Sequence, residues 1–283
     1  MEPSHDHIEK TLDKLVASTR SPRGRYSASE SWKLLERRLV PPRTKRLRLF
    51  RLAGVVAASV LLCFASWFIY DYWKPVAMQT VSAGAAISVI TLPDQTKVTL
   101  NRYSSLTYPD RFKEDRREVQ LQGEAYFEVQ RDVNKPFIVD ANGLRTRVLG
   151  TSFNVKAYRD EQNVFTTLVK GSVAVEVLDN GNVPTSRVVL EPGMQAMWHE
   201  GSKAISVQPV NVANIAAWKD GKFIFTEEDI EVVLRTLSRW YGVNFICKDT
   251  QMEKYTFNGL INKDEKLETV LENLTLAGGP IFN

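Results

Sequence analysis

Glu124 and Glu128, in Gly123-Glu-Ala-Tyr-Phe-Glu-Val129, come closest to a reaction centre by type and spacing. Residues i and i+4 of a strand share a face, and a pair of carboxylates across a glycosidic bond is the machinery of glycoside hydrolysis. A plainer reading fits the same residues. Ala125, Phe127 and Val129 alternate with Glu124, Tyr126 and Glu128, the pattern of a strand with one apolar face and one polar face. Nothing else completes a catalytic set. His199 is the only histidine beyond residue 70, with no cysteine or serine elbow beside it, and no GxGxxG, Walker or HExxH pattern occurs. His5 and His7 are two ligands near a chain end, too few for a metal. Enzymatic turnover, a metal and a cofactor are therefore not expected.

The elements that would carry these residues fall into three stretches. From Leu52 to Tyr70 nineteen residues run without a charge, and a helix of that length, at ~1.5 Å per residue, nearly matches the ~30 Å hydrocarbon thickness of a bilayer. Arg37, Arg38, Arg43, Lys45, Arg46, Arg48 and Arg51 precede the run and only Lys74 follows closely, so residues 1–51 are expected on the cytoplasmic side. Trp67, Tyr70, Tyr72 and Trp73 mark the far interface. The fifty polar residues ahead of the run are too many for the n-region of a signal peptide.

Formal charge divides along the same line. The chain is +4 overall, residues 1–51 holding thirteen Lys or Arg against six Asp or Glu, which leaves −3 for the rest. Anionic lipid beside a basic juxtamembrane stretch accounts for that excess, and no direct nucleic-acid contact is expected. Cys63 in the span and Cys247 beyond it cannot pair within one chain.

Within residues 1–51, Ile8, Leu12, Leu15 and Val16 make one apolar stripe and Trp32, Leu35 and Leu39 another, the second opened by a capping box of Ser27 and Glu30. Pro22 and Gly24 break the chain between them. Helices this short are marginal alone, so their stripes are expected to lie in a partner's groove.

After a linker at 71–86 the period becomes two. Ile87, Val89 and Thr91 turn through Pro93-Asp94-Gln95-Thr96 into Val98 and Leu100, and Asn142-Gly143 supplies the positive φ angles of a type I′ hairpin. Further strands are expected at 117–121, 125–129, 153–158, 165–169, 173–178, 188–190 and 196–198, an antiparallel all-β domain over 87–210. From 217 to 283 the pattern is that of a small α+β domain. It comprises a strand at Phe223–Phe225, a helix capped by Thr226 and stopped by Gly242, strands at 243–246 and 255–260, and a helix carrying Leu267, Val270, Leu271 and Leu274.

Several of these segments together resemble the periplasmic domain of FecR-type anti-sigma factors. They are Leu92-Pro-Asp-Gln-Thr-Lys-Val-Thr-Leu-Asn101, Ser105-Leu-Thr-Tyr-Pro109, Gly123-Glu-Ala-Tyr-Phe-Glu-Val129, Pro136-Phe137, Val148-Leu-Gly-Thr-Ser-Phe-Asn-Val-Lys-Ala-Tyr158, Thr167-Leu-Val-Lys-Gly-Ser-Val173 and Leu190-Glu-Pro-Gly193. Trp218-Lys-Asp-Gly-Lys-Phe-Ile-Phe225 with Leu237-Ser-Arg-Trp-Tyr241 resembles the C-terminal domain of Bacteroidetes-type members, which is related to the short secretin and TonB N-terminal domain.

The resemblance covers roughly residue 52 onward and implies a mainly β fold: a single transmembrane helix, an antiparallel all-β FecR domain, and a β-α-β-β-α domain. It also implies a further strand pair after the second helix, where this sequence reaches Asn283.

What the resemblance implies functionally is a relay across the bacterial inner membrane. The periplasmic C-terminal part meets the signalling domain of an outer-membrane TonB-dependent receptor. The cytoplasmic N-terminus holds an extracytoplasmic-function sigma factor, with Trp32, Leu35 and Leu39 as the expected contact. Some members cleave themselves between Gly and Thr of a Leu-Gly-Thr motif, here Gly150 and Thr151, by attack of the threonine hydroxyl on the preceding carbonyl. That step needs a strained peptide and a base. The alternative from another class is a membrane-anchored periplasmic glycan-binding module, which requires Tyr103, Tyr108 and Tyr126 to be exposed on one β face.

Overall fold

The structure is a computed structural model that describes residues 5–18, 28–39, 43–73, 76–178, 183–246 and 255–280. Ser27, Pro22, Gly24, Lys74, Cys247 and residues 281–283 lie outside the described residues, as do the side chains of Ile8, Val16, Leu39, Tyr72 and Trp73. The chain forms two compact units, Met1–Pro75 and Val76–Asn283.

The first unit is helical: α1 (His5–Ser18), α2 (Ala28–Leu39) and α3 (Arg43–Trp73). α3 starts inside the basic stretch, and Phe50–Tyr70 is its apolar portion, twenty-one residues of which none of the apolar window is buried. At ~1.5 Å per residue that portion is long enough to cross a bilayer. Leu52, Val56, Leu61 and Phe64 are all more than half exposed, which a soluble core helix could not tolerate.

The second unit is mainly β. Its strands are β1 (Met78–Ala83), β2 (Ser88–Thr91), β3 (Lys97–Leu100), β4 (Ser104–Pro109), β5 (Arg117–Glu128), β6 (Phe137–Ala141) and β7 (Leu144–Val148). They continue as β8 (Ser152–Ala157), β9 (Asn163–Lys170), β10 (Val173–Leu178), β11 (Pro184–Leu190), β12 (Met194–His199) and β13 (Ile205–Pro209). The order is β11-β10-β7-β6-β5-β8-β9-β12-β13, with β4 and then β1, and β3 and then β2, branching from β5 into a nearly closed, barrel-like sheet.

β5 is the hub because its two halves have different neighbours. Residues 117–122 pair with β4 and β6, and residues 123–128 pair with β3 and β8. Gly123 is the corner between them, with φ at +98°, and a Cβ there would lie 2.8 Å from the Ser104 Cα, so only glycine permits the approach. Two short strands were expected at 117–121 and 125–129; the structure makes them one bent strand. Otherwise antiparallel, the sheet has one parallel ladder, β5 with β6. The Asn142-Gly143 hairpin forms as expected between β6 and β7, with φ at +47° and +88°.

The barrel core centres on Phe127, Phe137 and Phe153, none exposed, with the Phe127 and Phe153 rings stacked at 5.0 Å.

Beyond β13 come α4 (Val212–Ala216), a 3-10 turn (Ala217–Asp220), β14 (Lys222–Asp229), α5 (Ile230–Tyr241), β15 (Thr256–Asn262) and α6 (Leu267–Leu276). α5 buries Ile230, Val233, Leu234, Leu237 and Trp240, a single helical stripe. Gly242, at φ +70°, ends it by donating to the Ser238 carbonyl. Thr226 is not the cap: β14 runs on past a bulge to pair Glu228 with Phe257 and Asp229 with Thr256, so the helix begins four residues later. The strand expected at 243–246 does not form; those residues carry no ladder pairing.

Candidate functional site

The face of β5 expected to meet water is covered. Ala125, Phe127 and Val129 do point into the barrel core, but Glu124 (8% exposed) and Tyr126 (8%) are buried as well, on the opposite face. Tyr126 belongs to a second core formed with Trp218, Phe223, Trp240 and the α5 stripe. The C-terminal lobe thus sits on the outer face of β5 and β8, and the alternation of β5 describes two cores rather than one core and solvent.

Glu124 lies at the centre of this seam. Its Oε2 accepts from Asn101 Nδ2 at 2.8 Å and its Oε1 from Asn154 Nδ2 at 2.9 Å. Asn154 Oδ1 in turn accepts from Trp218 Nε1 at 3.2 Å. The chain Asn101–Glu124–Asn154–Trp218 therefore ties the barrel to the first turn of the lobe through directed bonds between buried groups, which are costly to leave unmade.

Two arginines bracket it. Arg102 stacks on the Trp240 ring, 3.9 Å from its centroid, and donates to the Trp240 carbonyl. Arg239 lies 3.8 Å over the Tyr158 ring and donates to Glu161 at 2.5 Å and Asp160 at 2.7 Å. Lys156 completes the group, 2.9 Å from Glu161.

Burial pushes the Glu124 carboxyl above its ordinary value of 4.5, against the opposing pull of the Lys156 charge and the two amide donors. A carboxyl that holds its proton more tightly when folded stabilises the fold fully below its unfolded pKa, and that contribution is lost as pH rises through the folded pKa. We expect the seam to weaken as pH climbs from about 4.5 upward, and Glu124→Gln to remove that slope. Thermal melting of the full chain in detergent, from about pH 4 to about pH 8, measures it. An amide in place of the acid adds a donor-against-donor contact, but that offset is constant with pH. Equal separation of the two melting profiles across the range would contradict the assignment.

This geometry separates the two carboxylates first considered. Glu124 is sealed and held by amides, Glu128 is exposed, and the two do not face a common cleft. The tyrosines do not form one aromatic face either: Tyr103 is 51% exposed, whereas Tyr108 packs in the barrel core and Tyr126 in the second core.

Gly150 and Thr151 stand at the corner between β7 and β8. Gly150 has φ at +154°, and a Cβ there would lie 2.6 Å from the Arg131 Cα, so this glycine admits the loop between β5 and β6 that passes behind it. Thr151 is 5% exposed and its hydroxyl donates to the Ser172 carbonyl at 2.9 Å. A carbonyl orients a hydroxyl but cannot take its proton. Among the described residues no carboxylate or imidazole hydrogen-bonds that hydroxyl.

On the helical unit, α2 exposes Trp32 (67%), Leu35 (51%) and also Leu34 (49%), and α1 exposes Leu12 and Leu15. The described side chains of the stripes read from the sequence are therefore exposed.

The residues that sequence reasoning missed are Asn101, Asn154, Arg102 and Arg239. A signal existed for one of them: asparagine is depleted in strands, and Asn154 sits in mid-strand between Phe153 and Val155, both fully buried.

With this arrangement in view, the comparisons have a physical counterpart. A family model described as FecR protein matches residues 79–174, and one described as FecR, C-terminal matches residues 222–282. Two crystal structures of a protein from Parabacteroides distasonis ATCC 8503, described as a candidate anti-sigma factor and solved at 2.50 and 1.65 Å, are similar in fold and sequence. The first has a TM-score of 0.64 at 30% identity, covering 71% of this chain and 91% of that one. The second has 0.63 at 30%, covering 70% and 91%. No functionally curated protein matches.

Proposed function

From the premise that this chain belongs to the FecR family of anti-sigma factors, we propose that it is a single-pass protein of the bacterial inner membrane that relays an external signal to an extracytoplasmic-function sigma factor. Anti-sigma membership brings a sigma-factor partner in general. The class of sigma factor, the direction of the relay and the receptor are our reading.

The observation that carries it is the helix Phe50–Tyr70, long, apolar and wholly exposed, with seven basic residues before its apolar run. Positive charge is retained on the cytoplasmic side, which supports our reading of α1 and α2 on the side where a sigma factor is found and of the second unit in the periplasm. Trp32, Leu35 and Leu39 are the contact we assign to the sigma factor. For the outer contact we favour the C-terminal lobe, where β14 and β15 pair, among the described residues, with each other alone. A strand edge of that kind can add a strand from the signalling domain of a TonB-dependent receptor. For Gly150 and Thr151, self-cleavage requires the threonine hydroxyl to leave Ser172 and find a base, and we take the tight corner as the role of Gly150.

A reporter enzyme that is active only outside the cytoplasm tests the topology. Fused after Lys74 it is expected to be active, and fused after Leu39, ahead of the span, silent. Silence after Lys74 would remove the relay.

The glycan-binding alternative lacks its platform, since two of its three tyrosines are in cores.

A further inference from the structure

Arg117, the first residue of β5, is 2% exposed and nearly fully committed. Its Nε donates to the Lys135 carbonyl at 2.8 Å, and its Nη1 donates to Asp94 Oδ2 and to the Gln130 carbonyl, each at 2.8 Å. Its Nη2 is buried and has no hydrogen-bond partner among the described residues. The Phe137 ring, 5.5 Å from the guanidinium carbon, meets the charge but accepts neither N–H in a normal hydrogen bond. A buried charged donor left unpaired costs more than a neutral one, so such a group calls for a ligand or a reason.

The surroundings supply a reason. Arg117 forms the floor of an open cleft of about 430 Å³, a volume in the range of small-molecule sites. Arg111, Arg131 and Lys135 line it with Asp94 and Asp132, leaving a net positive charge, and Pro93 and Phe112 supply an apolar wall. Arg131 and Asp132 are held in place from behind. Asp132 N donates to the Leu149 carbonyl at 2.8 Å, and Arg131 packs against Gly150, whose missing side chain makes room for it. The Leu-Gly-Thr corner is thus part of this cleft's foundation.

We propose that the cleft binds a small organic carboxylate, its anionic end paired with Arg117 Nη2, Arg131 and Lys135 and its apolar body against Pro93 and Phe112. A carboxylate suits the site better than a phosphate dianion. One guanidinium nitrogen offers only two N–H groups, and the two aspartates in the lining oppose a second negative charge. The proposal stands independently of the relay.

Benzoate is the probe, titrated calorimetrically into the full-length protein in detergent micelles, with benzamide as its neutral counterpart. We expect saturable 1:1 binding of benzoate and at least about tenfold weaker binding of benzamide, the discrimination of one well-placed ion pair. Arg131→Ala and Lys135→Ala are each expected to raise the benzoate Kd about fivefold or more, with the melting temperature of the unliganded protein unchanged. Arg131 is exposed and Lys135 partly exposed, whereas Arg117 is buried, so neither substitution threatens the fold as a change at Arg117 would. Equal affinity for benzoate and benzamide, no benzoate binding, or unaltered affinity in both variants would each overturn the proposal. So would inorganic phosphate binding as tightly as benzoate, which marks a bare anion site. A glutamate-rich peptide binding where benzoate does not would overturn it in favour of a protein partner.

Discussion

Replacing Trp32 and Leu35 together by alanine is expected to weaken capture of the sigma factor by about a hundredfold or more. Both side chains are more than half exposed on α2, and fully burying an apolar side chain of this kind is worth ~1.5–3 kcal/mol. Tryptophan is also the residue most often found to dominate an interface. Loss of even the lower figure from each side chain, roughly 3 kcal/mol in all, is about two decades in Kd. Alanine is the best helix former, so α2 itself survives the change. Lys33→Ala with Arg37→Ala alters the opposite face of the same helix, roughly 100° and 140° around from Trp32 at 100° per residue. That control pair is expected to leave affinity within about threefold, the range of exposed charges. The measurement is the Kd of the full chain in detergent for each extracytoplasmic-function sigma factor of its own genome. If the Trp32 and Leu35 pair behaves like the control pair, α2 is not the docking helix.

Those two residues were legible because exposure of an apolar stripe is a local property. A twelve-residue helix with Trp32, Leu35 and Leu39 on one side is written entirely within α2, and the span within nineteen consecutive letters. The Asn142-Gly143 turn is equally local, since its positive φ angles depend on those two residue types. Strands with weak alternation were harder to read. β1 is Met-Gln-Thr-Val-Ser-Ala, mostly exposed at an edge of the sheet, and it falls in the stretch read as linker. β13 is an edge strand for the same reason. Neither buries enough to impose a period of two on its sequence.

What could not be read is what comes from elsewhere in the chain. Glu124 has the same neighbours in sequence whether it faces water or Trp218, and Trp218 lies ninety-four positions later. Thr226 follows a strand and precedes a helix, as a cap should, but the bulged pairing of Glu228 and Asp229 with Phe257 and Thr256 draws four more residues into β14. The cleft floored by Arg117 is assembled from the turn before β3, the loop before β5, the start of β5 and the loop before β6. Its parts are ordinary in sequence; only the unpaired Nη2 makes the site visible, and that requires a fold.

The seam therefore carries the largest stability effect that the structure predicts, at Trp218. Its ring is 4% exposed in the second core beside Tyr126, Phe223 and Trp240, and its Nε1 closes the chain of hydrogen bonds that ends on Glu124. Truncating a buried tryptophan to alanine removes ~3–5 kcal/mol through lost contacts and the remaining cavity. Here Asn154 Oδ1 also loses its donor, beside a carboxylate that Asn154 helps to hold. We expect Trp218→Ala to destabilise the unit Val76–Asn283 by about 4 kcal/mol in urea denaturation of the full chain in detergent. Trp218→Phe, which keeps most of the packing and drops only the hydrogen bond, should cost about 1–2 kcal/mol. The gap between the two separates packing from polarity. A total loss below about 1 kcal/mol for the alanine variant would mean that the lobe is not anchored through Trp218. Because β14 follows Trp218 within four residues, a lobe released at this point would keep its own helices and strands while losing its fixed orientation on β5 and β8. The lobe would then decouple from the barrel before either part unfolds.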